Sequence, residues 1–330
     1  MTPMDNQSRP DKPAQDSALI AQSDRPQFLG VNRRHFGFRH NLAKQPICTI
    51  DGLVALAERI PDYDGFKYWQ NGTIDITDGW NAQPAKRLTL RETIEGISTS
   101  NSVVVLKHVE QDAVFGPVLR DLLQEVFEAS PQSFRDDVSI GECLIFINSP
   151  NRKTAYHFDL EPSFLLQVSG QKTVFAWPNG DRTLTTEQEL ETYCAGEHSA
   201  AIYKPERQHD AAQYDLTPGL GVHFPSTGPH WVQNGADVSI SVNVNFDMRS
   251  SHQRLQHAYA VNSRLRKLGL KPTPPGAKPW LDDTKAGLWS LARQVRRVGQ
   301  SITAKRNPAE LYPVWKPVRA DVGDNRGLGC

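Results

Sequence analysis

Residues 138–176 read VSIGECLIFINSPNRKTAYHFDLEPSFLLQVSGQKTVFA, and this stretch decides the fold. Short β-type runs, VSIGECLIFI, YHFDL, SFLLQV and KTVFA, are separated by Gly, Pro and Asn, and the same texture continues through GVHFP at 221–225 and DVSISVNVNF at 237–246. Strands this short, at this spacing, predict an all-β sandwich or barrel over about 138–247. One helical insertion interrupts it. TEQELETYCAG at 186–196 opens with Thr186 three residues before Glu189, a capping box, and is expected on the rim of the barrel.

Outward from that core the texture changes in both directions. Residues 1–26 are rich in Pro, Asp, Gln and Ser and hold few large apolar side chains, so they are expected to form a disordered tail. The main domain is then expected over 27–250, with a helical N-terminal part reaching to about 135. DGLVALAERI at 51–60 is an amphipathic segment stopped by Pro61, and Thr89 with Glu92 has capping-box spacing. Between Gln111 and Ala129 the apolar residues Val114, Phe115, Val118, Leu119, Leu122, Leu123, Val126 and Phe127 recur at helical intervals. Residues 251–330 read as basic helices and a tail. HQRLQHAYAVNSRLRKLGL and DDTKAGLWSLARQVRRVGQSI are separated by the breaker KPTPPGAKP, and Trp289, Leu291, Val295, Val298 and Ile302 form an apolar stripe beside Arg293, Arg296 and Arg297. These helices are expected to dock on the barrel or on a second copy of the chain, as a homodimer.

Lysine plus arginine equals aspartate plus glutamate at 37 each, so no overall field calls for a nucleic acid, an anionic membrane or an acidic partner. Cys48, Cys143, Cys194 and Cys330 form no C-x-x-C pair, which argues against a zinc ribbon or a redox motif and for reduced thiols. The opening residues lack the basic start and apolar run of a secretory signal, and no apolar stretch approaches membrane-spanning length. A cytoplasmic protein is expected.

The chemistry concentrates in TAYHFD at 154–159 and GPHWVQNG at 228–235. Residues two apart on a strand project to one side, so His157 and Asp159 point together while Phe158 points away. A third ligand must come from a distant strand. TPGLGVHFPSTGPHWVQNG at 217–235 has the punctuation of a strand, a tight turn and another strand, with His230 at the far end of the turn. Two imidazoles and one carboxylate suit non-haem Fe(II) with coordination positions left open, although the same set also suits catalytic zinc. In DVSISVNVNF, Ser239, Ser241, Asn243 and Asn245 alternate with Val238, Ile240, Val242 and Val244. If helices pack outside a barrel, the valines meet the helices and the polar row lines the pocket.

On these motifs the chain resembles the Jumonji C and cupin-like family of Fe(II) and 2-oxoglutarate dependent oxygenases, nearest to its asparaginyl hydroxylase branch. The resemblance runs from about Gly141 to Phe246, roughly a third of the chain. It implies a double-stranded β-helix, the cupin or jelly-roll barrel, mainly β with flanking helices. It places His157, Asp159 and His230 at the iron-ligand positions, and Lys172 and Thr154 at the positions that hold the distal carboxylate of 2-oxoglutarate. A lysine suits that task because its ammonium neutralises one end of the dianion while the other end chelates iron. Thr154 stands at an odd offset from His157, so simple alternation does not turn it inward and only the resemblance supports it. Asn245 matches a family asparagine near iron and cosubstrate. Two departures stand out. Ser163 replaces a family asparagine, and His223 in GVHFP competes with His230 as third ligand. PHWV occupies the family's ligand position, which favours His230.

The resemblance thus implies an Fe(II) and 2-oxoglutarate dependent dioxygenase that consumes dioxygen and hydroxylates a peptide or protein side chain or a small molecule. No separate covalent catalyst is expected beyond the metal ligands. The alternatives are a cupin-type metal hydrolase or isomerase and a non-catalytic cupin-fold binding or regulatory protein. Tyr63, Phe66, Tyr68, Trp69 and Trp80 are expected either in the core or along a substrate groove.

Overall fold

The computed structural model describes residues 18–44, 49–61, 65–79, 88–249, 252–300 and 315–317. Its strands are β1 Phe36–Arg39, β2 Lys67–Asn71, β3 Ser102–Leu106, β4 Val138–Asn148, β5 Lys153–His157, β6 Ser163–Ser169, β7 Lys172–Ala176, β8 Ala212–Leu216, β9 Leu220–Phe224, β10 His230–Asn234 and β11 Ser239–Met248. They form a seven-stranded sheet of order β1-β9-β6-β11-β4-β3-β2 and a four-stranded sheet of order β5-β10-β7-β8, antiparallel throughout. From β4 to β11 the chain passes from one sheet to the other at every step except β7 to β8. Gly170 makes one such crossing possible. It sits at φ +67, where a Cβ would lie 2.2 Å from the Val238 carbonyl oxygen, so only glycine fits the turn that delivers Lys172 into β7.

The two faces of the larger sheet have different tasks. Ile240, Val242, Val244 and Phe246 of β11 face outward into the main core, where helix α3, Gly116–Ala129, contributes Leu119, Leu122, Leu123, Val126 and Phe127. The alternation in DVSISVNVNF is therefore inverted with respect to a solvent-facing sheet, as helices packed outside require. On the inward face Leu165, Val222 and Phe224 meet Val174, Ala176, Leu216 and Val232 of the smaller sheet in a second, smaller core. Trp315 returns to the outer face, its ring 6.2 Å from Phe127 and 6.1 Å from Phe246.

The helix signals hold locally. Helix α1, Ile50–Arg59, is capped by Thr49, and Thr89 and Thr186 make reciprocal capping boxes with Glu92 and Glu189 at α2, Leu90–Glu95, and α5, Glu187–Cys194. A short α4, Gln132–Asp137, leads into β4. The expectation of a helical N-terminal part is corrected in one respect, because β1, β2 and β3 come from it and complete the larger sheet. SVVVL shows why. Val104 and Leu106 pack on the outer core, while Val103 and Val105 pair beside the inward-facing Asn148 and Phe146, so both faces carry apolar residues and no alternation marks the strand.

Part of the stretch expected to be a disordered tail is structured. Leu19 and Ile20 are buried, and their N–H groups donate to the Glu125 carboxylate at 2.8 and 2.9 Å. An averaged composition hides two such residues. Positions 1–17 lie outside the described residues, as do Tyr63, Trp80, Cys48, Cys330 and Ile302.

At the C-terminus α6, His252–Lys267, and α7, Pro279–Gln300, form a helical pair separated at the proline-rich breaker. α6 docks on α5 of the same chain. Arg266 donates to both oxygens of buried Glu191 at 2.6 and 2.8 Å, while Asn262 and Lys285 both donate to the Thr273 carbonyl at 3.0 Å. Arg264 lies 4.4 Å over the Trp289 ring, and Leu288 and Leu291 are exposed. Among the described residues no helix is long and apolar enough to cross a membrane.

Candidate metal centre

His157 ends β5 and His230 begins β10, and these residues are register partners, so their rings share the inward face with centroids 4.2 Å apart. Asp159 follows just past the end of β5. Its Oδ2 lies 3.7 Å from His157 Nε2 and 3.9 Å from His230 Nε2, and one donor atom from each of the three residues falls within 4.8 Å of the others. Metal–ligand bonds of about 2 Å place neighbouring donors roughly 3 Å apart, so a small contraction seats one ion.

Each imidazole is aimed by its other nitrogen. His157 Nδ1 donates to the Ala155 carbonyl at 2.8 Å and His230 Nδ1 to the Gly228 carbonyl at 3.1 Å, which fixes both tautomers with Nε2 toward Asp159. Phe224 stacks on His230 at 4.0 Å and 15°. Burial, assisted by the nearby His157, holds the His230 pKa well below the usual histidine range despite the opposing Gly228 hydrogen bond, so it stays neutral as a ligand must. Asp159 keeps 37% of its side-chain surface open at the mouth of the site. Enclosure by surrounding protein raises its pKa, His157 opposes that shift, and Glu161 adds to it.

Bonds to the Asp159 and Leu160 carbonyls tie the end of β5 to the turn before β10. The Thr227 N–H donates to the Asp159 carbonyl at 2.7 Å, and Ser226 Oγ donates to the Leu160 carbonyl at 2.6 Å. Thr227 adopts φ 61, a left-handed conformation that a β-branched residue takes only when its surroundings enforce it.

Lys172 lies further along the same inward face, on the strand that also pairs with β10. It is 5% exposed, and burial pulls its pKa down to about 7. Among the described residues no carboxylate pairs with its ammonium, and burial alone accounts for the shift. Its register partner Asn234 has a buried side-chain oxygen with no hydrogen-bond partner, a neutral acceptor that could not balance an ammonium's charge. A buried ammonium in this state calls for an anion. Lys172 is thus neither exposed nor in a hairpin, since β6 and β7 belong to different sheets.

Thr154 joins this face through an irregularity. β10 pairs His230 with His157 and Val232 with Thr154, so two steps on one strand match three on the other and a bulge intervenes. The bulge reverses the parity that alternation predicts. Asn245 is the register partner of both Ser163 and Glu142 on the inward face, and it accepts a 2.6 Å bond from Asn243. Further along, Gln167 donates to Ser239 and accepts from Ser241, completing the polar row.

His223 lies apart from this cluster. It points to the outer face among Phe36 and Phe164, its Nδ1 donates to the Ser163 carbonyl at 2.8 Å, and its Nε2 accepts the Asn32 N–H at 2.9 Å. Both nitrogens are spent on structure. Of the N-terminal aromatic residues, Phe66 is buried against His108, and Trp69 packs at the outer core and donates to the Leu88 carbonyl. Of those among the described residues, Tyr68 shares the inward face, through its register partner Val105.

The sequence reading missed Glu142. Burial raises its carboxyl to about 7, with Asp247 and Glu161 adding and Lys107 opposing, and His108 Nδ1 lies 3.5 Å away. A lone glutamate within the apolar run of β4 was the available signal.

No family model and no curated protein matches the sequence. Among solved structures the chain is similar to an X-ray structure of YcfD from Escherichia coli, at 15% identity and TM-score 0.47, over 81% of this chain and 66% of that one. It is also similar to a structure described as YcfD, a ribosomal oxygenase from E. coli, in complex with cobalt and 2-oxoglutarate, at 15% identity and TM-score 0.46, over 81% and 65%. This chain therefore spans just under two thirds of the length of each.

Proposed function

We propose that the chain is an Fe(II) and 2-oxoglutarate dependent oxygenase on a double-stranded β-helix of the Jumonji C and cupin-like kind, hydroxylating a peptide or protein side chain or a small molecule. The observation that carries this reading is a shared face. Two Nε2 atoms and one carboxylate converge within 4.8 Å, and a buried lysine without a paired carboxylate stands further along the same wall. A zinc hydrolase needs the first feature but has no use for the second, so Lys172 favours the oxygenase.

His157, Asp159 and His230 would hold the iron and leave positions open for small ligands. The ion would supply activation of dioxygen at the expense of 2-oxoglutarate. Lys172 would neutralise the remote carboxylate of the cosubstrate, Thr154 would donate a hydrogen bond to it, and Asn245 with Ser163 would line the wall nearer the ion. Phe224 keeps water from one side of His230. Asp159, at the open mouth, marks the side from which a substrate C–H bond would approach. A reducing cytoplasm suits ferrous iron and the free thiols of Cys143 and Cys194.

Anaerobic titration with Fe(II) and 2-oxoglutarate, followed by a peptide and metabolite screen for succinate, tests the reading. Succinate formation requiring both iron and 2-oxoglutarate is expected. Tight iron binding without 2-oxoglutarate turnover, with any substrate class tried, would instead favour a binding protein.

A further inference from the structure

Phe158 separates two of the three ligands, and its ring is buried on the opposite side of the chain from them. Two distant segments share its cluster. α5, inserted between β7 and β8, contributes Leu190 and Tyr193, and the Tyr193 ring lies 5.0 Å from that of Phe158 at 39°. α6, which follows the last strand, contributes Leu255 and Tyr259. The Arg266–Glu191 pair holds α6 against α5, so the cluster is closed from both sides.

The mechanical consequence follows from the spacing of the ligands. His157 and Asp159 flank a single residue just where β5 ends and ladder hydrogen bonds stop holding the backbone. A rotation of the main chain at Phe158 would swing both donor atoms at once. The Thr227 and Ser226 bonds restrain the backbone after Phe158, on the side of the β9–β10 turn. On the other side, the β5–β10 ladder ends at the His157–His230 pair, and the packing of the buried Phe158 ring adds to what holds the backbone between the two ligands. Close-packed side chains settle into discrete arrangements, and metal donors tolerate misplacement of only about 0.5 Å.

We propose that Tyr259 and Leu255 are positioning residues for the metal centre, acting through the small apolar cluster in which the Phe158 ring is packed, so that the C-terminal helices belong to the metal-holding apparatus. This rests on reading the triad as a metal site. It goes beyond that reading by giving the helices after β11 a role in ligand geometry. Loss of the Tyr259 ring opens space in the cluster that packs Phe158. The ligands then converge less often, and the ion is held in a more variable field.

Co(II) is the probe, with the full chain titrated as wild type, Tyr259→Ala, the milder Tyr259→Leu and the conservative Tyr259→Phe. The visible absorption of bound Co(II) gives affinity and ligand geometry, and urea unfolding gives stability for each variant. Val126→Ala serves as a core variant in α3, on the outer side of the larger sheet. Tyr259→Ala is expected to weaken Co(II) binding by about 10-fold, the size carried by groups that orient metal ligands, and to alter the absorption band. Tyr259→Phe is expected to retain both. Wild-type affinity and band shape in both Tyr259→Ala and Tyr259→Leu would overturn the proposal. So would equal weakening by Val126→Ala at a matched loss of stability. A wild-type chain that binds no Co(II) through its triad would remove the metal reading itself, a result distinct from a wild type that binds and Tyr259 variants that bind equally well.

Discussion

His230 and His223 flank the same turn, both are buried, and burial keeps both neutral at physiological pH, His223 with a pKa of about 3. Their nitrogens are used differently. His223 spends one on the Ser163 carbonyl and the other on the Asn32 N–H, and so fastens the N-terminal segment to the larger sheet. His230 spends one on the Gly228 carbonyl and turns the other toward Asp159. Burial alone therefore does not distinguish a ligand. The direction of the second nitrogen does.

The contrast is broken most sharply at the carboxylate. Asp159→Ala is expected to abolish Co(II) binding at the triad and reduce succinate formation to background, read by metal titration and product assay. His223→Leu should leave metal stoichiometry unchanged while lowering stability by about 1–3 kcal/mol in urea unfolding, because two buried polar groups lose their partner. If His223→Leu instead removed the metal, the assignment of the two histidines would be reversed.

Lys172 extends the contrast to charge. Lys172→Met is expected to raise the KM for 2-oxoglutarate by on the order of 10–100-fold, the worth of a charge-assisted bond, with Co(II) affinity little changed. The pH dependence has a definite sign. With the folded pKa at about 7 and the ordinary value at 10.5, both folded and unfolded chains carry the proton below pH 7, and the cost of burial is then fully present. Between those values only the unfolded chain carries it, so the contribution to stability rises with pH across that window. Urea unfolding of the ligand-free chain should show this rise relative to Lys172→Met. Binding 2-oxoglutarate at pH 8 should conversely take up a proton, detectable by calorimetry in buffers with different ionisation heats. Thr154→Val is the smallest of these effects, about 2–10-fold in the KM for 2-oxoglutarate.

The sequence made the triad legible because its geometry is written locally. His157 and Asp159 are two residues apart, and Gly and Pro mark the turn before His230. Thr154 was opaque for the opposite reason. The extra residue between it and His157 is a property of pairing with β10, and nothing within TAYH announces a bulge. The strands β1 to β3 escaped notice because they are short and lie among helix caps, and only the partner sheet makes sense of their apolar residues. Nor does any periodicity in α6 say that Tyr259 joins the cluster around Phe158, since that packing joins segments with no shared pattern. What pairs locally can be read, and what pairs across the fold must be seen.

The pairing of β5 with β10 also has a consequence in time. His230 is made roughly 70 residues after His157, and contacts of such long range form slowly because a large loop must close first. Until then a nascent chain offers an ion only the adjacent His157 and Asp159, too few donors for firm capture. On the proposed reading, iron should therefore load after folding, through the mouth beside Asp159, and growth in iron-poor medium should yield an apoprotein that takes up metal afterwards.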